Sequence, residues 1–182
     1  MVHLRLGNSG KCACFGLMIE FLFRIVRRFS FAWQMALRGV FRMADKYVAY
    51  VGSYTRGESD GIYILDANVE YAYFKVRDSF KINNPSFLRL SHDEQYLYSN
   101  CDEGVASFKI LPDGGLELMN KASVNGLRPC YLSVDRANRY LLTAGYHDGK
   151  LTVLRLNEDG TIQGVTDEVF MKGLGSIAGR NY

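Results

Sequence analysis

From Lys46 onward the sequence pattern takes a period of two, the spacing of strands. The pattern predicts strands at Tyr47 to Ser53, Gly61 to Asp66, Ala72 to Val76, Ser86 to Leu90, Gln95 to Ser99 and Val105 to Leu111. Further strands are expected at Leu116 to Asn120, Cys130 to Val134, Tyr140 to Ala144, Leu151 to Leu156 and Val169 to Met171. β-Branched and aromatic residues fill these runs, while Gly, Asp, Asn and Ser separate them. No helical period follows Met43. Upstream the pattern differs. Leu22, Val26, Phe29, Trp33, Ala36 and Val40 step by four and three, with Arg24, Arg28, Arg38 and Arg42 on the opposite side. That spacing predicts a basic amphipathic helix over 22–42 with aromatic residues on its apolar face.

The strand-rich body repeats itself. Pro85-Ser-Phe-Leu-Arg-Leu-Ser91 lies over Pro129-Cys-Tyr-Leu-Ser-Val-Asp135 at an offset of 44, and Tyr96-Leu97 over Tyr140-Leu141 at the same offset. Phe108 to Gly114 lies over Leu154 to Gly160 at an offset of 46, and Gly61 to Asp66 resembles the segment from Gly104 at an offset of 43. Four strands recurring at this period are the signature of a propeller blade, a four-stranded antiparallel sheet. The apolar faces are expected to pack blade on blade. Ser91-His-Asp-Glu, Asp113-Gly-Gly, His147-Asp-Gly and Asn157-Glu-Asp-Gly are expected as wet corners.

With 182 residues, 48 % hydrophobic and 23 % charged, the chain is globular in composition. Its net charge of +3 conceals an asymmetry. Seven basic residues against one acid give the first 42 residues about +6; fifteen against eighteen give the rest about −3. A body of that sign argues against a nucleic-acid partner. No uncharged run reaches the ~18 residues of a spanning helix, and the front lacks a secretory signal's clean apolar centre and cleavage site. Residues 1–42 therefore read as an extension, either a helix lying on an anionic membrane surface or docking on a partner, or sequence upstream of a native start at Met43; residues 43–182 read as the folded domain.

Candidate chemistry is sparse. Cys12-x-Cys14 has no second pair to complete a zinc shell, so no metal is expected. Cys101 and Cys130 read as buried structural thiols. His92 and His147 are the body's histidines, each beside Asp in a turn cluster. Both read first as turn residues, with His147 open to a ligand role on a loop face. The pairs Asp93-Glu94 and Glu158-Asp159 read as solvated corners rather than acid/base pairs.

Tyr50-Val-Gly-Ser-Tyr-Thr-Arg-Gly-Glu-Ser-Asp-Gly-Ile-Tyr63 resembles the first blade of the seven-bladed propeller lactonases, the 6-phosphogluconolactonase family. Asn84-Pro-Ser-Phe-Leu-Arg-Leu-Ser followed by Gln95-Tyr-Leu-Tyr resembles the second, continued by Gly104-Val-Ala-Ser-Phe and Asp113-Gly-Gly-Leu. Arg128-Pro-Cys-Tyr-Leu-Ser-Val-Asp, Asn138-Arg-Tyr-Leu, Ala144-Gly-Tyr and Leu151-Thr-Val-Leu-Arg-Leu resemble the third. The likeness runs from Met43 to Asn181. It implies an all-β, incomplete β-propeller, about three of seven four-stranded blades, preceded by the amphipathic α-helical extension. It also implies hydrolysis of a sugar lactone, 6-phosphogluconolactone, in the pentose phosphate pathway, by a cytoplasmic enzyme without a cofactor. The family's acid/base Pro-His segment is expected beyond Tyr182, so no catalytic residue carries over. Arg56, Arg128, His147 and Arg180 remain as substrate-binding candidates at the channel mouth, chosen for their places at blade junctions or turns.

Three readings follow. The first is the amino-terminal part of a propeller lactonase, truncated and inactive alone. The second is a non-catalytic β-repeat module that completes a ring by self-association through open blade edges. The third is a membrane-surface protein contacting lipid through Leu22, Phe29, Trp33, Arg24 and Arg28.

Overall fold

The structure, a computed structural model, describes residues 21–24, 46–68 and 71–171. They form twelve strands in three four-stranded antiparallel sheets, with no helix among the described residues. Blade 1 contains β1 (Phe21–Arg24), β2 (Lys46–Gly52), β3 (Gly61–Asn68) and β4 (Tyr73–Lys81) in that order. Blade 2 contains β5 (Leu88–Leu90), β6 (Tyr96–Cys101), β7 (Gly104–Ile110) and β8 (Leu116–Ala122). Blade 3 contains β9 (Tyr131–Val134), β10 (Tyr140–Gly145), β11 (Lys150–Leu156) and β12 (Ile162–Phe170). The edge strands β5 and β9 are short and contact each other; the opposite edge strands are longer. Short strands inside and long strands outside are what wedge-shaped blades around an axis require.

Two apolar layers join the blades. Between blades 1 and 2 lie Tyr50, Ile62, Ile64, Leu88, Leu97 and Phe108, with Phe80 edge-on to Phe108 at 5.1 Å. Between blades 2 and 3 lie Tyr98, Val105, Val124, Leu132, Leu141 and Leu154. Each layer carries the same polar tie. Tyr50 donates its hydroxyl to the Gly114 carbonyl at 2.8 Å, and Tyr98 donates to the Gly160 carbonyl at 3.1 Å. The blades approach so closely that a Cβ on Gly52 would sit 1.8 Å from the Pro85 carbonyl oxygen.

The expected strands are present, with two extended. β4 runs on to Lys81, and β12 begins at Ile162 rather than Val169. Both are outer strands whose alternation is broken by a register shift in the ladder to the preceding strand. Charged pairs such as Asp167-Glu168, of low strand propensity, hid β12 further. The predicted front helix needs a correction at its start. Phe21–Arg24, including Leu22 and Arg24, pairs antiparallel with β2 as a strand. The physical reason is the unpaired backbone edge of β2, which a Phe-Leu-Phe segment can satisfy. The rest of that helix, with Arg28, Phe29 and Trp33, lies outside the described residues, as does Arg180. No described helix is long and apolar enough to cross a membrane.

Candidate functional site at the loop face

Antiparallel order sorts the connections onto two faces. The β2–β3, β6–β7 and β10–β11 loops share one face with the links from β4 to β5 and from β8 to β9. The β5–β6, β7–β8, β9–β10 and β11–β12 turns share the other. Arg56, Arg128 and His147 all fall on the first, the loop face. Arg56 and His147 are exposed, and His147 lies tilted against the Tyr146 ring at 4.0 Å. Arg128 is half-buried, and its side chain is the one of the three drawn into a network.

That network joins loops of blades 1 and 2 to the links that follow each of them. The Arg128 Nη1 donates to Asp102 Oδ1 at 2.9 Å, and the guanidinium carbon lies 5.4 Å from the centre of the Tyr54 ring. Asn84 Nδ2 lies 2.9 Å from both oxygens of the same carboxylate. Asn84 Oδ1 in turn accepts the backbone N–H of Thr55 at 3.1 Å. Tyr54 is covalently next to Thr55, so the contacts close into a ring. Asn84 takes a left-handed φ of 52°, which an asparagine tolerates better than most side chains. Asp102 and Asn84 escaped the sequence reading. The signal existed: Asn84 and Arg128 occupy the same repeat position, each just before a proline.

A second loop-face tie is Lys150, also unforeseen. It is 4 % exposed, and its Nζ donates to the Val124 carbonyl, to the Asn125 carbonyl at 2.9 Å and to Glu168 Oε1 at 2.9 Å. It fastens the link into blade 3 rather than facing a ligand. A polar cavity of about 440 Å³ lies nearer the rim, lined by Thr55, Ser59, Asp60, Lys81, Asn83 and Lys121 among others. Its charges are mostly paired: Lys81 with Asp60 at 3.7 Å, and Lys121 with Glu103 at 2.6 Å.

The remaining candidates are structural. His92 donates its backbone N–H to Asn138 Oδ1, and its Nε2 lies 3.2 Å from the Val134 carbonyl oxygen, so it joins blade 2 to blade 3 on the turn face. Asp93 accepts from Ser91 and Gln95, and Asp159 accepts from Thr161; both organise their own turns. Burial, then a contact with Glu103, pushes the Cys101 thiol up to about 11, which keeps it protonated and unreactive at neutral pH. Cys130 is only half-buried, because it precedes β9 at the loop-face end, so the expectation of two buried thiols holds for Cys101 alone. No cluster of three metal-ligating side chains occurs among the described residues.

Repeated four-stranded blades around an axis, with polar side chains gathered at one face, define a β-propeller with a loop-face site. The family model "Lactonase, 7-bladed beta-propeller" matches residues 48–181. This chain belongs to the seven-bladed β-propeller lactonase family. It is 36 % identical over 136 residues to a 6-phosphogluconolactonase of Bacillus subtilis, covering 71 % of this chain and 39 % of that one. Among solved structures it resembles a 6-phosphogluconolactonase candidate from Bacteroides fragilis, with a TM-score of 0.66 and 31 % identity over 72 % of this chain and 38 % of that one. It also resembles the periplasmic gluconolactonase of Pseudomonas aeruginosa, with a TM-score of 0.63 and 26 % identity over 68 % of this chain and 38 % of that one. The chain thus spans about two fifths of the length of the relatives it matches.

Proposed function

We propose that these blades form part of a sugar-lactone hydrolase acting on 6-phosphogluconolactone, and that hydrolysis requires further blades. In the reaction, water adds to the lactone carbonyl, the ring C–O bond breaks and a carboxylate forms. A site for it must hold an anionic, hydroxyl-rich substrate and tolerate a second anionic group, the carboxylate, in the product. The identity to the B. subtilis relative supports the reaction class. The Tyr54, Asp102 and Arg128 grouping on the loop face supports a polar sugar acid as the ligand. Arg56, His147 and Arg180 are its further candidate contacts, and the compartment proposed is the cytoplasm.

One observation carries the requirement for more blades. Blade 2 buries Tyr98, Val105 and Val124 against blade 3 to 1 % exposure or less. Their repeat counterparts on blade 3 are Leu142, Leu151 and Met171, which are 43 %, 40 % and 50 % exposed. Exposing such a continuous apolar face is costly, and a propeller avoids it by closing its ring. In the active enzyme a further four-stranded blade covers that face.

The test is a chimera in which residues 46–181 replace the aligned segment of the B. subtilis relative. It should hydrolyse 6-phosphogluconolactone at about ten times the spontaneous rate or faster, whereas the 182-residue chain alone should stay at the spontaneous rate. A folded chimera without turnover would refute the substrate assignment. Turnover by the chain alone would refute the need for more blades.

A further inference from the structure

Internal repeats separate what the fold needs from what it does not. Positions that every blade needs stay alike: Pro85 with Pro129, Leu88 with Leu132, Leu97 with Leu141. Just before the proline, the equivalent positions change from Asn84 to Arg128; after the second strand, blade 2 carries Asp102 where blades 1 and 3 carry Tyr54 and Tyr146. Packing does not explain these choices, because Tyr54, Asp102 and Tyr146 are all exposed. The divergent side chains of blades 1 and 2 nevertheless meet those of the two links, in the ring closed by Arg128 over Tyr54.

The chemistry of that ring is specific. Asp102 receives Asn84 and Arg128 together, so the carboxylate acts as a fixed bracket for the guanidinium. The guanidinium carbon lies 5.4 Å over the centre of the Tyr54 ring, a cation–π contact. Of the five N–H donors of Arg128, the bracket engages Nη1. A planar donor fork fixed in this way and partly open to solvent matches a carboxylate or phosphate. Lysine in that position would present a point charge without the fork.

Resting on the reading of this chain as part of a sugar-acid site, we propose that Arg128, bracketed by Asp102 and laid on Tyr54, binds an oxyanion of a phosphorylated sugar acid at the channel mouth. Asn84 is a positioning residue: it orients Asp102 and touches no ligand.

The experiment titrates the intact chain with 6-phosphogluconate, inorganic phosphate and gluconate, following the Arg128 side-chain Nε–H signal by NMR. Saturable shifts with 6-phosphogluconate are expected. Competition by phosphate assigns the phosphate end to Arg128, and competition by gluconate assigns the carboxylate end. Arg128→Gln should weaken binding about ten- to a hundredfold, and Arg128→Lys less, with the shift dispersion of the fold retained. Arg139→Gln removes the same charge from the turn face and should leave affinity unchanged. Absence of saturable binding by the folded chain, or equal weakening by the Arg128 and Arg139 changes, overturns the proposal. The two readings fail separately. An active chimera whose KM ignores Arg128→Gln sinks the anion site and spares the reaction. Arg128-dependent binding with an inactive chimera sinks the reaction and spares the site.

Discussion

The two faces of the propeller repeat in different ways. On the turn face, blades 2 and 3 repeat the backbone hydrogen bonds of their corners, while side chains there change, as from Ser91 to Asp135 and from Asp93 to Ala137. Ser91 N–H bonds the Tyr96 carbonyl as Asp135 N–H bonds that of Tyr140. Leu111 N–H bonds the Gly115 carbonyl as Asn157 N–H bonds that of Thr161. Left-handed residues recur in step: Glu94 with Asn138, Gly114 with Gly160. On the loop face the equivalent positions differ in charge and shape, from Asn84 to Arg128 and from Tyr54 to Asp102. The turn face is constrained because its corners dock on the neighbouring blade, as the Tyr50 and Tyr98 hydroxyls make plain. The loop face is free of that duty at these positions, so it can carry chemistry. Divergence alone does not mark the site; the loop face is set apart because its divergent side chains Asn84, Asp102 and Arg128 bond one another.

Turn-face changes should therefore cost stability. The largest effect is expected at Gly160. Its φ of 83° disfavours any side chain, and an added Cβ would meet the Tyr96 ring at 2.4 Å. Left-handed backbone costs roughly 1–2 kcal/mol and overpacking roughly 1–3, so Gly160→Ala should lose about 3 kcal/mol in urea unfolding. A loss as small as that of a surface change would mean that the corners do not dock as described.

Asp135 sharpens the comparison through pH. Its carboxylate accepts the backbone N–H groups of Ala137, Arg139 and Tyr140. Burial opposes ionisation, but those N–H groups and the Arg139 charge outweigh it and hold the carboxyl below its ordinary value of 3.8. A depressed carboxyl stabilises the fold above the unfolded value and loses that contribution as pH falls through the folded one. Asp135→Ala should cost about 2 kcal/mol at neutral pH, and the gap to the parent should narrow below about pH 4. A gap that stays constant into acid would place the effect in packing rather than in the charged acceptor.

The fold was largely legible because its determinants are local and repeated. Alternating Val, Ile, Leu and aromatic positions marked the inner strands, and the offset of 44 between Pro85 and Pro129 marked the blade. Outer strands were harder. The core leaves β12 mostly exposed, so Gln163, Asp167 and Glu168 carry no alternation to read. The front segment misled because a period of three and four is compatible with a helix, whereas the open edge of β2 selects Phe21–Arg24 as a strand. Among the site candidates, Arg128 was reachable from its place at a blade junction. Asn84 shares its repeat position and was reachable in the same way, whereas Asp102 was not, since its meeting with both depends on the β6–β7 loop converging with two links. Lys150 was likewise invisible: nothing in a strand's first residue announces a buried ammonium holding Val124, Asn125 and Glu168.

The most direct test of the division between faces is the KM of the chimera for 6-phosphogluconolactone in two single variants, Arg128→Gln on the loop face and Arg139→Gln on the turn face. KM should rise about tenfold or more for Arg128→Gln and stay at the parent value for Arg139→Gln. Equal changes in the two variants, or a change confined to Arg139, would contradict that division.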